Sequence, residues 1–222
     1  MSIQENIREV LSTLPDGVRL VAVSKYHPIE AIREAYDGGQ RIFGESKVQE
    51  MTAKHDQLPT DIEWHFIGHL QTNKVKYIAP YVSLIHGVDS YKLLLEINRQ
   101  GQRVGRIIPC LLQIHVAQEE TKFGFSPEEC LQMLALGEWR ALPYVSIRGI
   151  MGMASNTDDM EQVRQEFSTL SNFFSQVREK YFSDRENFCE LSMGMSDDYP
   201  IAIEEGSTLV RVGSRIFGDR VY

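Results

Sequence analysis

"RLVAVSKYHPIEAIREAYDGG" (Arg19–Gly39) reads as one strand followed by one helix. Leu20-Val21-Ala22-Val23 is an unbroken apolar run, the pattern of a strand buried on both faces of a parallel sheet. Pro28 near the first turn and Gly38-Gly39 at the far end bracket the helix that follows. Between the two stands Lys25, where the strand should surface, followed by Tyr26 and His27. Many strands simply end on a solvated lysine, so the rest of the chain must decide whether this one has a chemical task.

The same alternation recurs to the end of the chain. Strands are predicted at 19–25, 41–45, 63–67, 83–88, 108–116, 145–153, 188–193 and 209–213. Helical patterns lie between them, such as "KVQEMTAKHDQL", "QTNKVKYIAPY", "YKLLLEINRQ", "SPEECLQMLALGEW" and the long "DDMEQVRQEFSTLSNFFSQVREKYF". Eight strands alternating with helices predict an α/β fold, most economically a closed (β/α)8 TIM-type barrel; a doubly wound open sheet would show similar alternation. No repeat, low-complexity tract or linker interrupts residues 1–222, so one domain is expected. Ile3, Ile7, Val10, Leu11 and Leu14 recur at helical spacing. Residues 1–18 are therefore expected to form a helix packed on the barrel. That helix would cover part of the gap after the eighth strand, where "SRIFGDRVY" is too short for a full covering helix.

The 23 basic and 31 acidic residues leave a net charge of -8, which opposes binding to nucleic acid or to an anionic membrane. No apolar run reaches transmembrane length, and the N-terminus lacks a signal-peptide core. Cys110, Cys130 and Cys189 are an odd number without paired spacing, so a reduced, cytoplasmic setting is expected. With no large exposed apolar stripe or partner-completed site evident, the expected state is a monomer.

Glycine and small polar residues collect where the strands end: "FGES", "HGVDS", "MGMAS", "LSMGMSDD" and "VRVGS". In a barrel all of these lie at one mouth, where such folds place their active sites, often with a phosphate held after strands seven and eight. Ser196 precedes a helix start, and Gly213 and Ser214 can present backbone N–H groups to an anion. Asp197 and Asp198 would repel a dianion if aimed at it, and are expected to cap that helix outward.

Six ordered motifs carry a resemblance: "AVSKYHP", "IFGESKVQE", "EWHFIGHLQTNK", "IHGVDS", "LSMGMSDD" and "GSTLVRVGSRIFG". From about residue 19 to residue 218 the chain resembles the pyridoxal phosphate homeostasis proteins, single-domain barrels similar to the N-terminal domain of alanine racemase. The resemblance implies pyridoxal 5′-phosphate (PLP) as cofactor, held as a Schiff base by the lysine ending the first strand, here Lys25. It implies the phosphate at Ser196, Gly213 and Ser214, and Arg211 facing the pyridine nitrogen. It also implies a role in vitamin B6 and amino-acid balance. Chemistry agrees, because a Schiff base needs a neutral amine, and partial burial with neighbouring cations frees the lone pair of a lysine. Arginine can only donate, so Arg211 would disfavour a protonated ring nitrogen and leave a weaker electron sink.

His65 is a candidate for the pocket lining, with a packed barrel histidine as the alternative. His65 and His69 have a helical metal spacing, but Gly68 and the strand-like "WHFI" break that geometry, so no metal is expected. Met151, Met153, Met193 and Met195 read as packing around the site, with Met195 beside the cofactor. Asn73 and Lys74 match the family motif without an assignable contact. Ser46 and Lys47 stand where relatives commonly carry an asparagine-tyrosine pair, which puts contacts behind the cofactor in doubt and places a second amine near the pocket.

Three functions follow: a PLP carrier without turnover, a racemase or decarboxylase of the alanine racemase type, and a Schiff-base aldolase using Lys25 without cofactor. The carrier is favoured. Racemases of this type need a second base from an additional domain, which a chain ending at Tyr222 is not expected to supply. The aldolase leaves the phosphate-suited segments only a phosphorylated substrate. Recipient enzymes and protein partners are not legible in the residues.

Overall fold

The computed structural model describes residues 2–117 and 123–218. Its strands are β1 (Arg19–Val23), β2 (Ile42–Glu45), β3 (Glu63–Phe66), β4 (Leu84–Val88), β5 (Ile108–Gln113), β6 (Val145–Met151), β7 (Glu190–Ser192) and β8 (Leu209–Val212). They pair in chain order, all parallel, into a closed barrel. All eight predicted strands are present, each shorter than its predicted range by one to three residues at one or both ends. β1 meets β8 with Arg19 opposite Leu209 and Ala22 opposite Val212, and this pairing closes the ring.

The helices are α1 (Ile3–Ser12), α2 (Ile29–Asp37), α3 (Val48–His55), α4 (Val75–Ile78), α5 (Tyr91–Val104), α6 (Pro127–Leu136), α7 (Met160–Tyr181), α8 (Tyr199–Glu204) and α9 (Ser214–Phe217). The expected helix through "SPEECLQMLALGEW" stops at Leu136, because Gly137 turns left-handed at φ 75° and a 3-10 turn, Glu138–Ala141, takes over. "QTNKVKYIAPY" forms only a 3-10 turn and the single-turn α4 ahead of Pro80.

After β8 the described residues form the one-turn α9, and α1 packs on it. A Ser2–Glu5 capping box starts α1, and Ile7 and Val10 are buried beneath it. The Asn6 side-chain amide donates to the Ile216 carbonyl at 2.9 Å. The main core lies between strands and helices, while Val21, Leu84, Leu111, Met151 and Leu209 form a separate buried cluster.

One turn positions the mouth after β7. Gly194 has φ 92°, and a Cβ there would lie 2.6 Å from the Ala202 Cβ and 2.9 Å from the Tyr199 Cα. Only glycine satisfies both the backbone angle and the space. Gly194→Ala is therefore expected to destabilise the fold by roughly 2 kcal/mol or more, combining a left-handed alanine with overpacking. Equilibrium denaturant unfolding measures it, and an unchanged midpoint would contradict this account.

Candidate active site at the barrel mouth

Lys25 follows β1 by two residues and is half-buried in the turn toward α2. β8 delivers Arg211 from its third residue, and Gly213 and Ser214 directly beyond its end. Gly213 lets the two strand ends come together: a Cβ there would lie 3.1 Å from the Val23 carbonyl oxygen and 3.3 Å from the Val23 Cβ. The turn at Gly194 brings Met195 and Ser196 to the same place. The Ser196 hydroxyl accepts a hydrogen bond from the Gly213 N–H at 3.1 Å.

A cavity of about 590 Å³ opens here, of the size that holds a small cofactor. Lys25, Met195, Ser196, Arg211, Gly213 and Ser214 all line it, so six of the seven residues singled out in the sequence share one space. His27 and Ile67 also line it without having been assigned to the site, and so does Asp197. His27 is buried and stacks on Phe217 at 5.0 Å between ring centres; its place two residues beyond Lys25 was the available signal.

The aspartates differ from the expectation of outward helix caps. Asp197 lines the cavity, and the Asp198 carboxylate turns back to accept from the Met195 N–H at 2.5 Å instead of capping α8 with its side chain. Lys47 does not line the cavity with Lys25. Its ammonium sits over the Tyr26 ring, 4.7 Å from the ring centre, beside a smaller surface cleft.

His65, the seventh residue, is not among the cavity-lining residues. It is buried within the barrel, and its Nδ1 lies 3.0 Å from His86 Nε2. His69 belongs to a different pair, with Nδ1 2.9 Å from the Asp89 carboxylate, so the two histidines do not converge.

A chain of buried polar groups runs from His65 to the cavity. His86 Nδ1 lies 2.9 Å from the Ser192 hydroxyl, which accepts from the Arg211 guanidinium at 2.5 Å. A second Arg211 nitrogen donates to the Gly152 carbonyl at 2.9 Å. Arginine has no acceptor, so its donation to Ser192 sets the direction of the chain. Ser192 accepts from Arg211 and donates to His86 Nδ1, and His86 donates from Nε2 to His65 Nδ1. Both imidazoles are then neutral. Burial pushes His65 down to about 3, and burial followed by the neighbouring His65 and Arg211 holds His86 well below the ordinary histidine range. Burial also lowers Arg211 to about 10, which leaves it charged at neutral pH.

These depressed values set a pH dependence. The unfolded chain takes up protons on His65 and His86 below the ordinary histidine value of 6.5, where the folded protein does not. Stability is therefore fully present above that value and falls as pH drops toward 3. His65 alone is expected to cost on the order of 3 kcal/mol between pH 7 and pH 4. Unfolding of the wild type and of His65→Gln across this range measures it. The variant should show the shallower slope, and parallel slopes would contradict a buried neutral His65.

The alanine racemase N-terminal domain family matches the chain over residues 1–221. The pyridoxal phosphate homeostasis protein of Aquifex aeolicus is 39% identical over 205 residues, spanning 92% of this chain and 88% of that protein. PipY of Synechococcus elongatus, solved without PLP, superposes with a TM-score of 0.92 at 37% identity, over 98% of this chain and 100% of PipY. PipY solved with PLP bound gives a TM-score of 0.88. Alanine racemase of Clostridium difficile shares the fold alone, with a TM-score of 0.76 at 14% identity over 98% of this chain and 56% of the racemase. With a racemase-type barrel and this identity along nearly the whole of both chains, the protein belongs to the alanine racemase N-terminal domain family, among its pyridoxal phosphate homeostasis proteins.

Proposed function

We propose that this protein binds PLP at the barrel mouth and holds it for intracellular vitamin B6 homeostasis, without catalytic turnover of its own. The observation that carries the reading is the convergence of Lys25, Ser196, Arg211, Gly213 and Ser214 on one cavity of about 590 Å³. The donor set suits PLP group by group. Lys25 would offer the amine for the aldehyde, condensing with it by loss of water to hold the cofactor as a Schiff base. The Ser196 hydroxyl and the N–H groups of Gly213 and Ser214 suit the phosphate. A phosphate oxygen arriving between Ser196 and Gly213 would take over the Gly213 N–H, which now donates to Ser196 Oγ at 3.1 Å, and free the hydroxyl to donate as well. Met195 contributes an apolar wall.

Arg211 supports holding over reacting. Its described side-chain bonds go to two neutral oxygens, Ser192 Oγ and Gly152 O, so the cation is not neutralised by a bonded carboxylate. Such a donor suits an unprotonated pyridine nitrogen, and PLP held that way supplies a weak electron sink for carbanion chemistry. His65, linked through His86 and Ser192, supports the arginine from inside the barrel without lining the cavity. The relatives' role in PLP homeostasis points the same way. PLP is the one partner proposed, with the protein as a monomer.

Purified protein reconstituted with PLP is expected to absorb in the visible, and Lys25→Ala to lose that band at an unchanged thermal midpoint. A wild type that takes up no PLP would overturn the reading. Amino-acid racemase and decarboxylase assays on the same sample are expected to show no turnover. Turnover that disappears in Lys25→Ala would make the protein an enzyme of the alanine racemase type.

A further inference from the structure

We propose that the buried cluster Glu45–Lys54–Glu50 is the positioning device of Lys25, fixing the backbone on both sides of the amine that takes the cofactor. The inference rests on Lys25 being the covalent anchor, and adds what makes it one.

Lys54 comes from the last turn of α3 and is 5% exposed, a rare setting for a lysine. Its ammonium makes three hydrogen bonds: to Glu45 Oε1 at 2.7 Å, to Glu50 Oε1 at 2.7 Å and to the Ser24 carbonyl at 2.8 Å. Ser24 is gripped again, its hydroxyl donating to Glu45 Oε1 at 2.6 Å and its N–H to the Gly44 carbonyl at 3.0 Å. Glu50 Oε1 accepts from the Tyr26 N–H at 2.6 Å.

The placement of these bonds matters more than their number. The Ser24 carbonyl belongs to the peptide unit before Lys25, and the Tyr26 N–H to the unit after it. One carboxylate-ammonium cluster thus holds both planes that flank the Lys25 Cα, and with them the direction of its side chain. The second plane is held in an unfavourable state. Tyr26 has φ 67° and is the one non-glycine residue with positive φ among the described residues. A residue with a Cβ adopts this angle at an energetic cost, part of which the turn's own bond offsets, from the His27 N–H to the Ser24 carbonyl at 3.1 Å. Glu50 adds a bond from outside the turn, to the N–H of the strained residue itself.

The cluster is a costly way to build a core. Glu45 is 0% exposed, its Oε2 makes no hydrogen bond with the described residues, and burial raises its carboxyl above the ordinary range despite Lys54. Apolar replacements of such buried charge groups often match or improve stability. What an apolar set could not do is grip a carbonyl and an N–H on either side of a single residue.

The test separates aim from fold and from phosphate binding. PLP capture is followed by the visible band in wild type, Glu50→Ala, Glu50→Gln and the double variant Glu50→Ala/Tyr26→Gly. Binding of pyridoxine 5′-phosphate, which keeps the phosphate but carries an alcohol in place of the aldehyde, is followed in parallel by calorimetry. Glu50→Ala is expected to weaken PLP capture about 10- to 100-fold, the worth of a charge-assisted hydrogen bond. Pyridoxine 5′-phosphate affinity should stay within about twofold of wild type, since no covalent bond is involved. Glu50→Gln keeps an acceptor for the Tyr26 N–H and should stay near wild type. In the double variant, glycine adopts the left-handed angle unaided and should recover most of the loss.

Equal PLP capture by Glu50→Ala and wild type would overturn the inference. So would parallel loss of both ligands without recovery by Tyr26→Gly, which would make the cluster merely structural. If Glu50→Ala does not fold, Glu50→Asp replaces it, one methylene too short to reach the Tyr26 N–H, with the same expected and overturning outcomes. A wild type that forms no covalent bond with PLP would instead sink the proposed function, and this inference with it.

Discussion

A parallel sheet can close on itself only if its first and last strands meet in register. Here the pairing of Arg19 to Ala22 with Leu209 to Val212 joins the two ends of the described chain. Closure entropy for so long a loop is recovered through the apolar strand faces packed inside and outside the ring. The same register puts Gly213 against Val23, and so sets the amine after β1 beside the donors after β8. Site and barrel therefore rest on one contact. Any sequence change that shifted this register by a residue would turn Arg211 out of the barrel as well.

Function at the mouth requires opposite things of neighbouring groups. Lys25 lines the cavity from a half-buried position at its edge. The backbone on either side of it is bonded to Lys54 and Glu50, which with Glu45 form a cluster of charge that the interior tolerates only when paired. Arg211 shows the same division, with a guanidinium facing the cavity and its bonded partners behind it in the barrel.

Much of this was legible in the residues. Unbroken apolar runs punctuated by Gly and Pro located every strand, because parallel strands buried on both faces leave little room for other patterns. Small and polar residues at strand ends located the mouth. The interior was harder to read. His86 sits within the recognised "IHGVDS", but its inward direction and its meeting with Ser192 depend on the register between strands distant in sequence. His65 seemed a pocket residue for the same reason: alternation puts it inside the barrel, and depth along the axis is not written in a single strand. Glu50 and Lys54 are an ordinary i, i+4 surface pair on paper; only the rotation of α3 against β2 shows them turned inward. Gly137 was a plain stop signal passed over, since the apolar pattern continued to Trp139.

The polarity of the chain from Arg211 to His65 has a consequence for traffic through the barrel. A line of hydrogen bonds conducts protons only if each member can reverse its direction after a proton has passed. Arginine cannot accept, so the line is locked at its cavity end. Protons therefore do not pass from the two buried histidines to the cavity by way of Arg211, and the histidine pair stands behind it as a fixed support.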